Sequence, residues 1–183
     1  MILVVAATEK ELAAVHAEHV LVCGIGPAEA GIRTAMVLAE ERPDAVLHVG
    51  IAGAPELDAL SVVIGSEAHF CDIVDPNSTV PRVERAHPAV ELVEAAQRAL
   101  PDAVVMPIAT CAKVGGSRAE VEAMEGFAVL RAAELAGVPA VEVRVISNSP
   151  AEVDRTKWRF EEAFARLGEI VPPLVEELAL CVR

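Results

Sequence analysis

The feature that most constrains the fold is a pair of short apolar runs that each end in a glycine-rich turn. Residues 19–23 and 45–49 are predicted to be buried strands, and they lead into Gly24-Ile25-Gly26 and Gly50-Ile51-Ala52-Gly53. Between them, apolar residues recur at helical spacing from Pro27 to Glu41. A strand, a glycine-rich turn, a helix and a second strand are typical of a right-handed crossover between parallel strands. The sequence therefore predicts an α/β fold.

The rest of the chain continues this alternation. Further strands are predicted at 2–6, 61–70, 103–110 and 140–147, further helices at 9–18, 88–100, 118–135, 151–167 and 172–180, and irregular structure at 71–87. Because no linker or internal repeat interrupts the pattern, residues 1–183 are expected to form a single three-layer α/β/α domain around a largely parallel or mixed sheet. Ligands of such sheets bind at the carboxyl ends of the strands.

The charge of the chain narrows the choice of partners. It carries 15 Lys and Arg against 28 Asp and Glu, a net charge of −13, and 54% of its residues are hydrophobic. This apolar composition excludes intrinsic disorder. The negative field repels phosphate backbones and anionic lipids, so we expect neither a nucleic acid nor a membrane as a partner.

Location and metal content follow from other simple patterns. The first apolar run stops at Thr8 and no basic segment precedes it, so neither a signal peptide nor a membrane span is predicted, and the cytoplasm is the expected location. The four cysteines lie far apart in the sequence, and the five histidines show no ligand spacing. No metal site is therefore expected.

The glycine-rich turns have more than one interpretation. A dinucleotide fingerprint would need a third glycine at position 29, which is Glu29, and an acid after the next strand, which ends in Val49-Gly50. A tight turn explains Gly24-Ile25-Gly26 better, although a Rossmann-type oxidoreductase stays as an alternative. The turn at 50–53 either leaves room for a ligand against its backbone or is simply tight.

Three polar features are candidates for chemistry. Glu122 and Glu125 would share a face of the predicted helix at 118–135. Gly126 in that helix costs about 1 kcal/mol relative to alanine, which suggests that another group approaches it closely. Asn148 carries a donor and an acceptor that can read a purine edge, and Glu11 follows the first strand. Taken singly, each is better explained as a solvated acid or a turn residue.

Taken in order, five segments resemble the purine nucleoside phosphorylase-like superfamily and, within it, the nucleosidases. The segment ILVVAATEKEL is similar to their first strand and acidic loop, and VCGIGPAEAG to their Gly-Ile-Gly turn. HVGIAGA resembles their ribose-site loop, and EAMEG their Met-Glu motif that holds the ribose. VRVISN resembles the strand that ends in the base-binding residue. The resemblance runs from residue 1 to about residue 170.

Two details resemble the futalosine hydrolases more than the methylthioadenosine/S-adenosylhomocysteine nucleosidases. The adenine-cleaving enzymes carry Asp where this chain has Asn148. The run SNSPAEVDRTKW, with Asp154, Arg155 and Trp158, is also similar to a run of the futalosine hydrolases. The resemblance implies hydrolysis of futalosine to hypoxanthine and dehypoxanthinyl futalosine in menaquinone biosynthesis. The chain departs from the family by a trimmed middle at 71–103.

The resemblance also implies roles for individual residues. Glu11 would orient or deprotonate the attacking water, and Asn148 would stabilise the departing hypoxanthine. The expected substrate-binding residues are Gly53, Val114, Met124, Glu125 and Ser147. The family implies a small nucleoside substrate, no cofactor and a homo-oligomer of two or more subunits.

Two other functions stay open at this point. A methylthioadenosine/S-adenosylhomocysteine nucleosidase would release adenine rather than hypoxanthine. A nucleoside-binding homologue without turnover would account for the trimmed middle of the chain. The acid at Glu11 argues against a phosphorylase, because a negative side chain at the nucleophile site repels phosphate.

Overall fold

The computed structural model describes residues 1–73, 77 and 79–182, with eight strands and five α-helices in those ranges. The strands are β1 (Ile2–Ala6), β2 (Val20–Val22), β3 (Ala45–Gly53), β4 (Val62–Phe70), β5 (Arg85–Ala86), β6 (Val104–Thr110), β7 (Glu122–Ala123) and β8 (Ala140–Asn148). The helices are α1 (Glu9–Leu12), α2 (Pro27–Glu41), α3 (Val90–Ala99), α4 (Gly126–Ala136) and α5 (Phe160–Cys181).

The strands form one mixed sheet. Strand β1 pairs in parallel with β2 and β3, β3 pairs in parallel with β8, and β4 pairs in parallel with β6. Strands β8 and β5 both pair with β4, and both run antiparallel to it. Strand β7 joins β3 to β6, so β3, β8, β4, β6 and β7 close a ring of strands. The expected α/β architecture is confirmed, with a mixed sheet.

Helices cover both faces of the sheet and give it two apolar cores. Because side chains alternate along a strand, the even-numbered residues of β1 pack towards α3 and α5, and the odd-numbered ones towards α2 and α4. Val4 and Val5 illustrate this, since both are fully buried in different cores. A third, smaller cluster forms around Ile108 and Ile146, on β6 and β8 of the closed ring.

The helix predicted at 118–135 is wrong in its first half. Residues 122–123 form β7 instead, and α4 begins only at Gly126. The physical reason is that the backbone of residues 121–123 pairs with the sheet and not with a helical turn. The Ala109 N–H donates to Val121 O at 2.9 Å, and the Cys111 N–H donates to Ala123 O at 3.0 Å. Glu122 and Glu125 therefore do not share a helix face.

The two helices predicted at 151–167 and 172–180 form one helix, because α5 begins only at Phe160 and is continuous through Pro172 and Pro173. An internal proline costs a helix about 3 kcal/mol. The buried side chains of α5 recur at helical spacing on both sides of the prolines, and they are Ala163, Leu167, Ile170, Val171, Leu174 and Leu178. Burial of this continuous stripe favours one helix over two.

The remaining differences are smaller. Helix α1 ends at Leu12, whereas the sequence predicted a helix over 9–18. Strand β5 lies within the stretch 71–87 that was predicted to be irregular, and residues 74–76 and 78 of that stretch are outside the described part of the chain. Helix α2 has the bounds that the sequence predicted. Among the residues that the structure describes, no helix is long and apolar enough to cross a membrane.

Candidate functional site

A cavity of about 390 Å³ opens beside the carboxyl ends of β1, β3 and β8. All seven residues that the sequence proposed for the site line it, namely Glu11, Gly53, Val114, Met124, Glu125, Ser147 and Asn148. They come from five separate segments of the chain, so the fold brings together what the sequence keeps apart.

Helix α1 aims Glu11 into this cavity. Thr8 caps the helix, since its hydroxyl accepts from the Glu11 N–H at 3.4 Å while its own N–H and hydroxyl both donate to Glu11 Oε2 at 2.9 Å. The Ile51 N–H donates to Glu11 Oε1 at 3.1 Å. Both oxygens of the carboxylate are therefore fixed, and Glu11 is only 4% exposed.

Glu125 lies just before helix α4 and is held from two sides. The Gly26 N–H donates to Glu125 Oε1 at 3.0 Å, and Arg144 Nη2 lies 3.6 Å from Glu125 Oε2. Burial raises the pKa of the Glu125 carboxyl, and the charge of Arg144 partly opposes this rise. In a dinucleotide-binding site, the backbone N–H groups of the glycine-rich turn would bind the pyrophosphate. Here the Gly26 N–H binds the Glu125 carboxylate instead, so the turn does not support a Rossmann-type oxidoreductase.

Arg144 on β8 is the central cation of the site, and the sequence analysis missed it. It is completely buried, and its Nε donates to Glu142 Oε1 at 2.7 Å. Burial lowers the pKa of Arg144, but the charges of Glu142, Glu125 and Glu11 outweigh that effect and leave the pKa above its ordinary value. Arg144 is thus a permanent positive charge between the carboxylates.

His48 on β3 contacts a second nitrogen of this guanidinium, Nη2. Its Nδ1 lies 3.1 Å from the Val5 carbonyl oxygen, and its Nε2 contacts Arg144 Nη2. A carbonyl only accepts and a guanidinium only donates, so the imidazole is neutral with its proton on Nδ1. Burial lowers the pKa of His48 well below 6.5, and Arg144 lowers it further.

Ser147 and Asn148 end strand β8 at the edge of the cavity. The Ser147 hydroxyl donates to Asn148 Oδ1 at 2.8 Å, which fixes the orientation of the amide. Asn148 Nδ2 has no hydrogen-bond partner among the described residues and is the donor left for a ligand. Gly53 is needed beside it, because a Cβ there would lie 2.9 Å from Pro150 and 3.2 Å from Asn148 Nδ2.

Glu122 has a structural task in the wall of the cavity. Its carboxylate accepts from the Gly115 N–H at 2.5 Å, from the Ser117 N–H at 2.7 Å and from the Ser117 hydroxyl at 2.8 Å. These bonds shape the loop that presents Val114 to the cavity. The close approach predicted at Gly126 is confirmed, since a Cβ there would collide with the Glu142 carboxylate.

An aromatic wall formed by Trp158, Phe160 and Phe164 closes another side of the cavity. The Trp158 and Phe160 rings meet edge to face at 5.4 Å, and Arg155 lies over Trp158 at 5.2 Å from the ring centroid. The chain has only five aromatic residues, so their concentration here is a signal that the sequence analysis could have used. The sequence motif identifies only Arg155 and Trp158 of this region.

The groups that line the cavity indicate which chemistry it can support. Within the described ranges, no cluster of His, Cys, Asp or Glu is arranged to hold a metal ion. The cavity instead offers two ordered carboxylates, an amide donor and a large apolar wall. Such groups can bind hydroxyls, orient water and stabilise a developing negative charge on a leaving group.

Comparison with known proteins gives consistent results. The sequence profile of the phosphorylase superfamily matches residues 8–178. A futalosine hydrolase of Streptomyces coelicolor is 35% identical over 86% of this chain and 78% of its own length. One from Acidothermus cellulolyticus is 32% identical over 81% of this chain and 74% of its own length. The methylthioadenosine/S-adenosylhomocysteine nucleosidase of S. pneumoniae, solved with a transition-state inhibitor, superposes with a TM-score of 0.82 at 19% identity, covering 97% of this chain and 99% of its own.

Proposed function

Because the chain belongs to the phosphorylase superfamily and, within it, to the futalosine hydrolases, we propose that it hydrolyses the N-ribosidic bond of futalosine. The products are hypoxanthine and dehypoxanthinyl futalosine. The observation that carries this proposal at the level of residues is the convergence of Glu11, Glu125 and Asn148 on one cavity.

Hydrolysis of this bond passes through an oxocarbenium-like state, with positive charge on the sugar and negative charge on the departing base. The reaction therefore needs a donor for the base, acceptors for the ribose hydroxyls and an oriented water on the opposite face of the sugar. The three polar groups in the cavity match these needs one by one.

Asn148 serves the base. Its Nδ2 donates to the N7 or O6 acceptor of hypoxanthine, and this bond strengthens as negative charge develops on the base. Ser147 holds Asn148 Oδ1, so the donor is already aimed before the substrate arrives. Loss of one such donor typically costs about 3 kcal/mol, or two orders of magnitude in rate.

Glu125 serves the ribose, because its two carboxylate oxygens can accept from adjacent hydroxyls. Met124 packs against the sugar, and the small residue Gly53 leaves room for it. Val114 and Ser147 complete the substrate contacts that we propose. Protonation of Glu125 removes acceptor capacity, and because burial raises the pKa of this carboxyl, ribose binding should weaken at a higher pH than it would with an ordinary glutamate.

Glu11 serves the water. Its oxygens are already fixed by Thr8 and the Ile51 N–H, so the carboxylate keeps one orientation as it directs or deprotonates the nucleophile. The same negative charge disfavours phosphate at that place. We therefore propose hydrolysis and not phosphorolysis.

The second candidate is a methylthioadenosine/S-adenosylhomocysteine nucleosidase, because the fold is shared with that enzyme. The amide at Asn148 favours the 6-oxopurine. A carboxylate there would serve adenine better, since it can carry the proton delivered to N7 and accept from the 6-amino group.

We also propose that the protein works as a homo-oligomer in the cytoplasm. Ile32 and Met36 lie one turn apart on α2, and each is 60% exposed, so a second copy would shield apolar surface there. The four cysteines are free, as expected where thiols stay reduced. Light scattering and size exclusion of the purified protein test the assembly.

The function is tested by incubating the purified protein with futalosine, inosine and methylthioadenosine in phosphate-free buffer, and then identifying the free base by chromatography. We expect hypoxanthine from futalosine at a rate that added phosphate does not change. Faster release of adenine from methylthioadenosine would favour the second candidate. A strict requirement for phosphate would contradict the proposal.

Glu11→Gln separates turnover from mere binding. It removes the charge and keeps the shape, so hypoxanthine release should fall at least 100-fold while futalosine still binds. Glu9→Gln is the matched control, because Glu9 is an exposed acid on the same short helix. A wild-type protein that binds futalosine without releasing a base, unchanged in Glu11→Gln, would indicate a binding protein without turnover.

A further inference from the structure

The buried charges beside the cavity contain two side chains to which the proposed reaction gives no direct task. His48 and Glu142 are both fully buried, and neither lines the cavity. Both instead contact the guanidinium of Arg144, Glu142 at Nε and His48 at Nη2. A fully buried acid and imidazole need a reason to be there, because burial of polar groups is costly unless it is compensated.

We propose that His48 and Glu142 are positioning residues that hold Arg144 between Glu11 and Glu125. The inference rests on the proposed function and concerns how its two carboxylates are kept in place. His48 and Glu142 act through Arg144 and touch no substrate.

The donor count of Arg144 supports this assignment. A guanidinium has five N–H groups in a rigid plane, so fixing two of them fixes the directions of the rest. Nε donates to Glu142, and one Nη2 proton is directed at His48. The other Nη2 proton is then available to Glu125, whose Oε2 lies 3.6 Å from Nη2. Nη1 lies 3.5 Å from the Ile51 carbonyl oxygen, next to the backbone N–H that holds Glu11.

The register of the sheet supports the same assignment. His48 on β3 pairs directly with Glu142 on β8, and Gly50 pairs with Arg144. Gly50 leaves the space that the guanidinium fills, since a Cβ there would collide with Arg144 Nη1 and lie 2.6 Å from Glu11 Oε1. Glycine at 50 and the two anchors thus define one location for this cation.

His48 is fixed as an acceptor by the strand on its other side. The Nδ1–H of His48 donates a hydrogen bond to the Val5 carbonyl of β1, so Nε2 carries no proton and acts only as an acceptor for Arg144. The Glu142 carboxylate lies in the space that a Cβ at Gly126 would fill, at the start of α4, and its Oε2 has no hydrogen-bond partner among the described residues. Strand β3, through His48, and strand β8, through Glu142, therefore both hold the guanidinium.

The test uses His48, because its replacement by a neutral residue leaves the local charge unchanged. His48→Leu removes the acceptor, whereas His48→Gln keeps an acceptor near the position of Nε2. If His48 positions Arg144, His48→Leu should lower kcat/KM on futalosine about 100-fold, as expected for a small misplacement of the groups that bind and cleave the substrate. His48→Gln should stay within about fivefold of the wild type.

A pH profile distinguishes positioning from a general loss of structure. The charged and titratable groups that face Glu125 are Arg144 and Glu142 from β8, Glu11 from α1 and Cys23 after β2, and burial raises the pKa of Cys23 to about 12. Displacement of Arg144 removes the attraction that favours the ionised form of Glu125. The acid limb of kcat/KM should then move to higher pH in His48→Leu and stay in place in His48→Gln.

Two further measurements make the outcomes unambiguous. In an Arg144→Met background, adding His48→Leu should change kcat/KM by less than about threefold, because the path through Arg144 is already gone. A crystal structure of His48→Leu should place the guanidinium away from Glu125, and this readout needs no activity. Glu142→Ala should displace it as well.

The two proposals fail in different ways. A wild-type protein that releases no base from futalosine contradicts the proposed function, and the crystal structure of His48→Leu then still tests the positioning. A wild-type protein that is active, together with a His48→Leu variant that keeps the wild-type rate, pH profile and guanidinium position, overturns the positioning alone. Independent, multiplicative losses in the double variant would overturn it too.

Discussion

The backbone N–H of Gly26 donates a hydrogen bond to Glu125 Oε1 at 3.0 Å, although the two residues are 99 positions apart in the sequence. Gly26 has a φ of 88°, a conformation that side chains with a Cβ rarely adopt, and this conformation directs its N–H at the carboxylate. The Gly-Ile-Gly turn therefore supports the proposed ribose acid and needs no phosphate ligand to explain it.

Gly26→Ala should lower activity by displacing this N–H. The strain at positive φ costs about 1–2 kcal/mol, whatever the space around the residue. Gly137→Ala is a matched control, because Gly137 also has a positive φ, 69°, and a Cβ added to either glycine would meet nothing within 4 Å. Both variants should lose stability in thermal melts. Gly26→Ala should lose more, because Gly26 has a ψ of 159°, in a region that is essentially restricted to glycine, whereas Gly137 has the left-handed helical conformation. Only Gly26→Ala should raise KM for futalosine. Equal kinetic effects would contradict the role of the Gly26 N–H.

Gly50→Ala should disrupt the site more severely. An added Cβ would collide with Arg144 Nη1 and crowd Glu11 Oε1, so both groups must move. We expect a loss of at least 100-fold in kcat/KM. Gly31→Ala in helix α2 meets only Ala128 at 3.4 Å and should keep full activity, with a slightly higher melting temperature. A Gly50→Ala enzyme with normal kinetics would show that the cation need not lie there.

Asn148→Asp should change the preferred base. The carboxylate repels the O6 and N7 acceptors of hypoxanthine but can accept from the 6-amino group of adenine. We expect the ratio of hypoxanthine release to adenine release to fall at least 100-fold, measured on futalosine and its 6-amino analogue. Ser147→Ala removes the hydroxyl that orients the amide, so the amide can also present Oδ1, and the ratio should fall in the same direction but by less than in Asn148→Asp. An unchanged preference in Asn148→Asp would show that position 148 does not read the base.

The pH dependence of activity should follow Glu125. Burial raises its pKa above the ordinary 4.5, so ribose binding should be lost as the pH falls through a value above 4.5. Arg144 opposes that rise, together with the Gly26 N–H. Arg144→Met should therefore move the acid limb of kcat/KM to still higher pH. A shift to lower pH would mean that Arg144 does not act on Glu125.

The pH dependence of stability should follow His48. Burial lowers its pKa in the folded protein, so the unfolded state binds more protons below pH 6.5 and the free energy of unfolding decreases as the pH falls. The slope contributed by one such group is at most about 1.4 kcal/mol per pH unit. Denaturant unfolding of His48→Gln should lack this contribution between pH 6.5 and 5. Parallel curves for the variant and the wild type would contradict a neutral His48.

The sequence predicted the parts of the fold that local patterns determine. Helix α2 has the predicted bounds because Pro27 starts it and its apolar spacing is regular up to Glu41. The short β7 could not be predicted, since its pairing with Gly53 and Ala109 depends on strands far away in the chain. Local propensity predicts a break of α5 at its prolines, whereas burial of its apolar stripe keeps it continuous.

The candidate site shows the same division. Most of the seven proposed residues were found because family motifs carry them, whereas Phe160 and Phe164 of the aromatic wall were not proposed. Arg144 and His48 each lie in an apolar strand that the sequence predicts to be buried, and a polar side chain there is itself a signal that could have found them. Their contact depends on the register that pairs His48 with Glu142. Only the fold reveals that these side chains meet.

The most direct test is a crystal structure of Glu11→Gln with futalosine bound, since this variant should hold the uncleaved substrate. We expect Asn148 Nδ2 within hydrogen-bond distance of the purine N7 or O6, and the Glu125 carboxylate on the ribose hydroxyls. A water should lie beside residue 11 on the opposite face of the sugar. A purine bound away from Asn148, or a ribose out of reach of Glu125, would contradict the account.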